Sequence, residues 1–315
     1  MESPPTTLFK YQGFSVRLFS RICNGEAHFA DPSSFNDPLD CRPTVETDLE
    51  ADALKAILAN LVSRRVEKEV VASLKKLRFR PETIVARQES EAQRVIQTLL
   101  QNIEYEADHP DISDANSQLK CALGNAIEFE IRRAYDQGVL CLSARCDSPL
   151  MWSHYGDQHK GVCIEYDVSK LRPQEIRKVE YGESRQLKAS AIQRWLENTG
   201  DVIARQQIER ACLLTKSTEW NYEGEYRIFG RQGDHGSPAP IKSVTFGLRC
   251  DIVVKYAVVA ALGGEKSPYG IYEMNSLGAK FELSRREVDV DELMRGMPNT
   301  TGLWDFDIIE GSGAG

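Results

Sequence analysis

The sequence predicts an α+β protein: a mixed or antiparallel sheet core interrupted by a three-helix insertion. Two patterns carry that prediction. Short apolar runs with strand character, among them Leu8–Tyr11, Val139–Ser143 and Ile241–Phe246, stand on both sides of a long middle stretch. Within that stretch, from about Thr47 to Tyr135, apolar residues recur at helical spacing and the remaining positions are densely charged. The 315 residues, 41% hydrophobic and 27% charged, are enough for a sizeable core and exclude disordered, collagen-like and coiled-coil classes.

Taken in order, residues 8–35 form a compact opening unit. Leu8–Tyr11 reads as a strand, Phe14–Cys23 as one or two helical turns, and Gly25 as the break before a second strand, Ala27–Ala30. Asp31-Pro32-Ser33-Ser34-Phe35-Asn36-Asp37-Pro38 then carries turn chemistry throughout, because Pro presets φ while Ser, Asn and Asp bond back to their own backbone. Thr47 and Glu50 make a capping pattern ahead of Leu54, Ile57, Leu58, Leu61 and Val62. Pro81 opens a second helix that stops before Pro110, and Ser113 a third that ends at Gly138.

Downstream, Val139–Ser143 and Gly161–Tyr166 read as strands, the second half-buried, and Ser148-Pro149 starts a short helix closed at Gly156. Ser184–Leu213 has the pattern of one long amphipathic helix. Trp220–Phe229, Ile241–Phe246, Val253–Ala260 and Lys280–Ser284 have that of strands. The domain plan is an α+β core over 8–46 and 136–309, a helical insertion or cap over 47–135, and a flexible tail over 310–315.

Several function classes drop out on composition. A net charge of −8 argues against a protein that coats nucleic acid by electrostatics alone. No apolar run approaches the roughly 20 residues that span a bilayer, and no basic start leads into an apolar signal core, so a soluble, cytoplasmic protein with no membrane partner is expected. The eight cysteines are scattered without a CxxC or a zinc spacing, so reduced, mostly buried thiols and no metal are expected. Dinucleotide-fold, P-loop, kinase and nucleophile-elbow signatures are absent.

Three clusters stand apart from the core pattern. The first joins Lys10 and Tyr11 to the turn holding Asn36, Asp37 and Asp40, carboxylates beside a strand end. The second runs Met151-Trp152-Ser153-His154-Tyr155-Gly156 to His159, where aromatic faces suit a flat ring and Ser and His suit ribose hydroxyls. The third is Trp220-Asn221-Tyr222-Glu223-Gly224-Glu225-Tyr226-Arg227. As a strand it would put Glu223, Glu225 and Arg227 on one face, with Arg227 offsetting the carboxylate repulsion through a forked hydrogen bond. A plain turn, a satisfied core histidine and an ion-paired strand are the structural alternatives. The chemical one is a carboxylate that stabilises positive charge on a sugar carbon.

Taken together, Leu8-Phe9-Lys10-Tyr11, Phe35-Asn36-Asp37-Pro38-Leu39-Asp40-Cys41, Met151–Tyr155 with His159–Glu165, and Trp220 with Tyr222-Glu223 and Glu225-Tyr226-Arg227 resemble a widespread bacterial family known mainly as a domain of unknown function. Its members often sit in mobile or defence-associated gene neighbourhoods, which implies a toxin or anti-phage effector. More distantly, a leading strand, a helix, a strand ending in a polar turn and a late Glu-x-Glu segment are similar to the ADP-ribosyltransferase arrangement. That resemblance implies NAD as substrate, with Glu225 as the catalytic carboxylate and Glu223 positioning the acceptor. It implies Tyr11 along the first strand and Trp152 or Tyr155 stacked on the nicotinamide. Where relatives read Lys-Tyr-Arg this chain has Lys10-Tyr11-Gln12, which removes the expected cationic clamp and leaves Lys10 or Arg227 to replace it.

The leading expectation is therefore a NAD-using ADP-ribosyltransferase-like enzyme acting on a macromolecular acceptor, protein or nucleic acid. Its catalytic candidates are Glu225, Glu223 and His154, and its cofactor-binding candidates are Lys10, Tyr11, Asn36, Asp37, Trp152, Ser153, Tyr155 and Arg227. One alternative is a hydrolase or nuclease built on His154, Asp37 and Glu225. Another is a non-catalytic domain that senses a ligand or docks a partner protein through the helical insertion.

Overall fold

A computed structural model describes residues 5–75, 81–108 and 114–296; the expected tail over 310–315 lies outside them. In chain order the strands are β1 (Thr7–Gln12), β2 (Glu26–Phe29), β3 (Thr44–Glu46), β4 (Gly138–Ser143), β5 (Val162–Asp167), β6 (Arg177–Lys178), β7 (Glu180–Gly182), β8 (Gln186–Lys188), β9 (Thr215–Ser217), β10 (Glu225–Gly230), β11 (Gly233–Gly236), β12 (Ile241–Phe246), β13 (Gly270–Ser276) and β14 (Leu283–Glu287). The helices are α1 (Val16–Asn24), α2 (Ala51–Lys75), α3 (Pro81–Ala107), α4 (Ala115–Ala134), α5 (Pro149–His154), α6 (Ala189–Glu197), α7 (Val202–Glu209), α8 (Ile252–Ala261) and α9 (Val290–Arg295). Strand pairing is mixed, so the α+β class holds. The chain divides into two compact units. The first holds residues 1–27, 142–171 and 236–315, and the second 28–141 and 172–235. The helical segment 47–135 thus falls in the second unit together with 28–46, 136–141 and 172–235.

The first unit is built on the strand order β14-β13-β12-β5-β1, antiparallel except for β12 against β13. Strand β5 is buried from Val162 to Tyr166, so the half-buried strand expected there is instead covered along nearly its whole length. Helix α1 follows its local signals. The Ser15 side chain accepts the Leu18 N–H at its start, and Gly25, at φ 64°, closes it in the left-handed conformation that glycine adopts without strain. Ser148 and Pro149 start α5 in the same fashion, with Ser148 accepting from the Met151 N–H.

Two readings of this unit need correction. Val253–Ala260 is not a strand but lies in α8, which Asp251 caps by accepting the Val253 N–H. Its run of β-branched residues favours strand locally, and the cap and tertiary packing of Val258 and Val259 override that. The late strand expected at Lys280–Ser284 begins at Leu283 and pairs with β13, a strand that no clear alternation marks in the sequence.

Next to α5 the backbone is strained. Asp157, Gln158 and His159 are consecutive non-glycine residues at φ 49°, 54° and 70°, a conformation that costs L-residues about 1–2 kcal/mol each. Two glycines make room for this turn. A Cβ on Gly247 would lie 2.2 Å from the His159 carbonyl oxygen, and one on Gly161 would lie 2.1 Å from that of Gln12.

The second unit packs its helices around one apolar cluster. Leu54, Ile57, Leu58, Leu61 and Val62 of α2 meet Leu123, Ile127 and Ile131 of α4, Ile192 of α6 and Ile208 of α7. All of the α2 positions are those that the helical spacing marks, and the three long helices lie where the sequence places them. Beside this cluster run β4-β10-β6 and the parallel pairs β3–β8 and β7–β9. The single helix expected over Ser184–Leu213 is instead β8, α6, α7 and a π turn over Arg210–Leu214. The break falls at Asn198-Thr199-Gly200-Asp201, where Asp201 caps α7 by accepting the Ala204 N–H.

The close approach at Gly247 makes a direct prediction. Gly247→Ala should destabilise the chain by about 1–3 kcal/mol, because a backbone oxygen rather than a flexible side chain blocks the new methyl. Urea unfolding checks it, and an unchanged midpoint would contradict the close approach.

Candidate functional site

The densest polar chemistry lies inside the second unit, where Arg227 of β10 is fully buried, at 0% exposure. Its guanidinium uses all five of its donors. Nε donates to Glu225 Oε1 at 2.8 Å and Nη2 to Glu225 Oε2 at 3.1 Å, the forked bond that the sequence spacing anticipates. Nη2 also donates to Asp40 Oδ2 at 2.7 Å, and Nη1 to the Leu213 carbonyl at 2.7 Å and Cys41 Sγ at 3.1 Å. The Phe35 ring lies 5.5 Å from the guanidinium carbon.

A second buried cation completes the cluster. Lys216 Nζ donates to Glu223 Oε2 at 2.5 Å and Glu225 Oε2 at 3.2 Å, and stands 3.5 Å from Asp40 Oδ2. The Trp220 ring covers it at 5.0 Å. Three carboxylates and two cations leave a formal charge of −1, and Asp40 Oδ1 is buried without a hydrogen-bond partner. Burial works to raise the Glu225 carboxyl, but the charge and hydrogen bonds of Arg227, helped by Lys216 and the Cys141 thiol, outweigh it and hold the group at about 2. Burial works to lower Lys216, and Glu225, Glu223 and Asp40 together carry it well above the usual lysine range instead. Burial pushes the Cys41 thiol up to about 12, against the pull of Arg227.

Local folding explains how these side chains converge. Asp37 Oδ1 accepts the Leu39 N–H and the Asp37 carbonyl accepts the Asp40 N–H, so the Asn-Asp-Pro segment is the turn its composition describes. Cys41 follows at φ 55°, a left-handed non-glycine position between Asp40 and Arg42. The π turn at Arg210–Leu214 presents the Leu213 carbonyl to Arg227. Thr218–Glu223 is a 3-10 turn closed by Gly224 at φ 51°, so the strand expected over Trp220–Phe229 begins only at Glu225. Glu223 therefore does not share a strand face with Glu225 and Arg227; it reaches Lys216 from the turn instead.

Of the residues singled out by sequence, Asn36, Asp37, Glu223, Glu225 and Arg227 belong to the second unit. Lys10, Tyr11, Trp152, Ser153, His154 and Tyr155 belong to the first. There, Tyr11 and Trp152 are buried and packed edge to face at 5.1 Å, with the Tyr11 hydroxyl donating to the Arg145 carbonyl and Trp152 Nε1 to that of Cys146. Ser153 Oγ donates to the Pro149 carbonyl at 2.9 Å and lies 3.4 Å from His159 Nε2. His154 is exposed, its ring beside Tyr155, rather than a buried core histidine. Cysteine burial is also less general than expected: Cys41, Cys163 and Cys212 are buried, whereas Cys23 and Cys121 are exposed.

Lys216 and Tyr181 are absent from the sequence-level set. Tyr181 accepts the Glu225 N–H on its hydroxyl at 2.8 Å, and burial raises its own ionisation above the usual tyrosine range. A signal for Lys216 was present, since a lone lysine two residues after the apolar run Ala211–Leu214 calls for buried carboxylate partners. Two cavities open in this unit. One, of about 450 Å³, is lined by Tyr181, Arg185, Lys188, Arg194 and Arg210 among others. The other, of about 200 Å³, is lined by Asp40, Cys41, Arg42, Arg132, Arg133 and Tyr135 among others. Glu225 lines neither.

The cluster has consequences for stability. Arg227→Met leaves Asp40 and Glu225 short of a buried counter-charge and should destabilise the chain by about 3–5 kcal/mol in urea unfolding. Because the folded Glu225 carboxyl sits near 2, below its ordinary 4.5, its contribution is complete above about pH 4.5 and fades as pH falls toward 2. Unfolding followed from pH 6 to pH 2 should show that loss in the parent protein and less of it in Glu225→Gln.

Among the described residues no helix is long and apolar enough to cross a membrane. Comparison with curated proteins and with solved structures found no match. Residues 151–228, which run from α5 through Glu223, Glu225 and Arg227, match the family described as "Protein of unknown function (DUF2971)".

Proposed function

We propose that the chain is a NAD-using, ADP-ribosyltransferase-like enzyme in which Glu225 stabilises the ribosyl cation. The observation that carries this reading is an ionised, rigidly held carboxylate on a residue whose backbone N–H is bonded to the wall of a polar cleft. Arg227 fixes the Glu225 carboxylate from one side, and Tyr181, which lines the 450 Å³ cleft, holds its backbone N–H. That volume falls within the range of small-molecule sites, about 300–1,000 Å³. Its basic side chains, Arg185, Lys188, Arg194 and Arg210, outnumber Glu46 and Glu180 in the lining, and although Arg210 is paired with Glu180 the remaining positive charge suits a pyrophosphate. The element order supports the reading too: a leading strand, a helix, a second strand running into a polar turn, and Glu225 at the head of a late strand.

On this reading the bond between the ribose anomeric carbon and the nicotinamide nitrogen breaks, and nicotinamide leaves with the electron pair. The carboxylate of Glu225 offsets the charge left on the sugar, and an acceptor oxygen or nitrogen forms the new bond and releases its proton. A sugar entering past Tyr181 displaces Lys216 from Glu225 Oε2, because Lys216 makes one bond to Glu225 where Arg227 makes two. Glu223 keeps Lys216 in place after it gives way. NAD as substrate sets the activity in the cytoplasm, and consuming it or marking a macromolecule accounts for a toxin or defence effector.

Purified protein incubated with NAD, with and without cell lysate, should release nicotinamide. Glu225→Gln, checked for folding by circular dichroism, should lower that release by about 10²–10³-fold. Absence of release from folded protein under both conditions, or release that Glu225→Gln leaves unchanged, would overturn the proposal.

A further inference from the structure

The smaller cavity of the second unit is a separate feature, and the glycosyl-transfer reading does not use it. It is framed by the turn after β2, the bend at Asp40–Arg42, the last turn of α4 and the π turn at Cys212 and Leu213. Two observations there point to a ligand. Asp40, 4% exposed, lines the cavity and keeps its Oδ1 buried without a hydrogen-bond partner, while its Oδ2 is committed to Arg227 and Lys216. A buried carboxylate oxygen left bare is unfavourable unless something donates to it. Arg42 and Arg132 line the same cavity, and neither makes an ion pair or side-chain hydrogen bond with another described residue. Arg133, the third arginine, is already held by Glu69 and lies over Phe129.

We propose that this cavity binds a small hydroxylated phosphate ester of the sugar-phosphate type. The phosphate meets the guanidinium forks of Arg42 and Arg132, which match its oxygens in geometry and charge. A sugar hydroxyl donates to Asp40 Oδ1 and supplies the bond that this oxygen lacks. Size sets the class: about 200 Å³ is below the range of drug-sized pockets, so the occupant is a compact molecule rather than a whole dinucleotide. Charge sets the combination. An anion without a donor would leave Asp40 Oδ1 bare and facing like charge, and a neutral polyol, although its hydroxyls can accept from the arginines, would bring them no counter-charge.

The test is isothermal titration of the full chain with ribose 5-phosphate, beside inorganic phosphate and ribose. Saturable binding of ribose 5-phosphate is expected, weaker binding of inorganic phosphate, and none of ribose. Arg42→Gln and Arg132→Gln, both outside the buried ion cluster, should each weaken ribose 5-phosphate by about tenfold or more with circular dichroism unchanged. Absence of binding to folded protein would overturn the proposal, as would affinity that neither variant alters. Inorganic phosphate binding as tightly as ribose 5-phosphate would overturn the role given to Asp40. None of these results depends on NAD turnover, so failure here and failure of the glycosyl-transfer reading are separable.

Discussion

The second unit is organised around one buried guanidinium. Arg227 cannot shed its charge, so its five donors must all find acceptors wherever the fold encloses it. Those acceptors come from three places in the chain: Asp40 and Cys41 after the polar turn, Leu213 in the π turn, and Glu225 two residues away on the same strand. Several local irregularities serve that requirement. The left-handed Cys41, the π turn and the early end of the 3-10 turn at Gly224 each bring an acceptor or a partner cation within reach.

Buried ion clusters are weak evidence for net stability, because desolvation offsets much of their attraction. Their stronger signature is specificity: each partner left alone is costly, so the arrangement is set as a group. That is the condition an oriented carboxylate needs, and it ties the proposed chemistry at Glu225 to the packing of the whole unit. The same cluster leaves one oxygen of Asp40 unfilled toward the smaller cavity. Asp40 of the cluster lines the smaller cavity, and Tyr181, which accepts the Glu225 N–H, lines the larger one.

Much of this was legible from sequence, for identifiable reasons. The long helices α2, α3 and α4 declare themselves because many apolar positions repeat with one period, and α3 and α4 also start at Pro81 and a capping Asp114; α2 begins at Ala51, after the Thr47–Glu50 capping pattern. The Glu225–Arg227 fork follows from strand periodicity alone. What failed was short and context-dependent. Helix α8 reads as a strand because Ile252, Val253, Val258 and Val259 are β-branched, and only Asp251 marks the helix start. Residues Thr218–Glu223 alternate like a strand, and the decisive feature, a left-handed Gly224, is a matter of backbone. Asp40 stands out in the sequence only as part of the polar turn, and Lys216 not at all, because the contacts of Asp40 with Lys216 and Arg227 join distant parts of the chain, where no local period points.

Asp40, Glu225 and Arg227 should act as one unit, and a double-mutant cycle between Asp40 and Arg227 measures whether they do. Asp40→Asn, Arg227→Met and the double variant would be compared by urea unfolding at pH 7. A coupling energy of about 0.5–3 kcal/mol is expected, because each single change strands the partner of the other. Effects that add to within about 0.3–0.5 kcal/mol would contradict it.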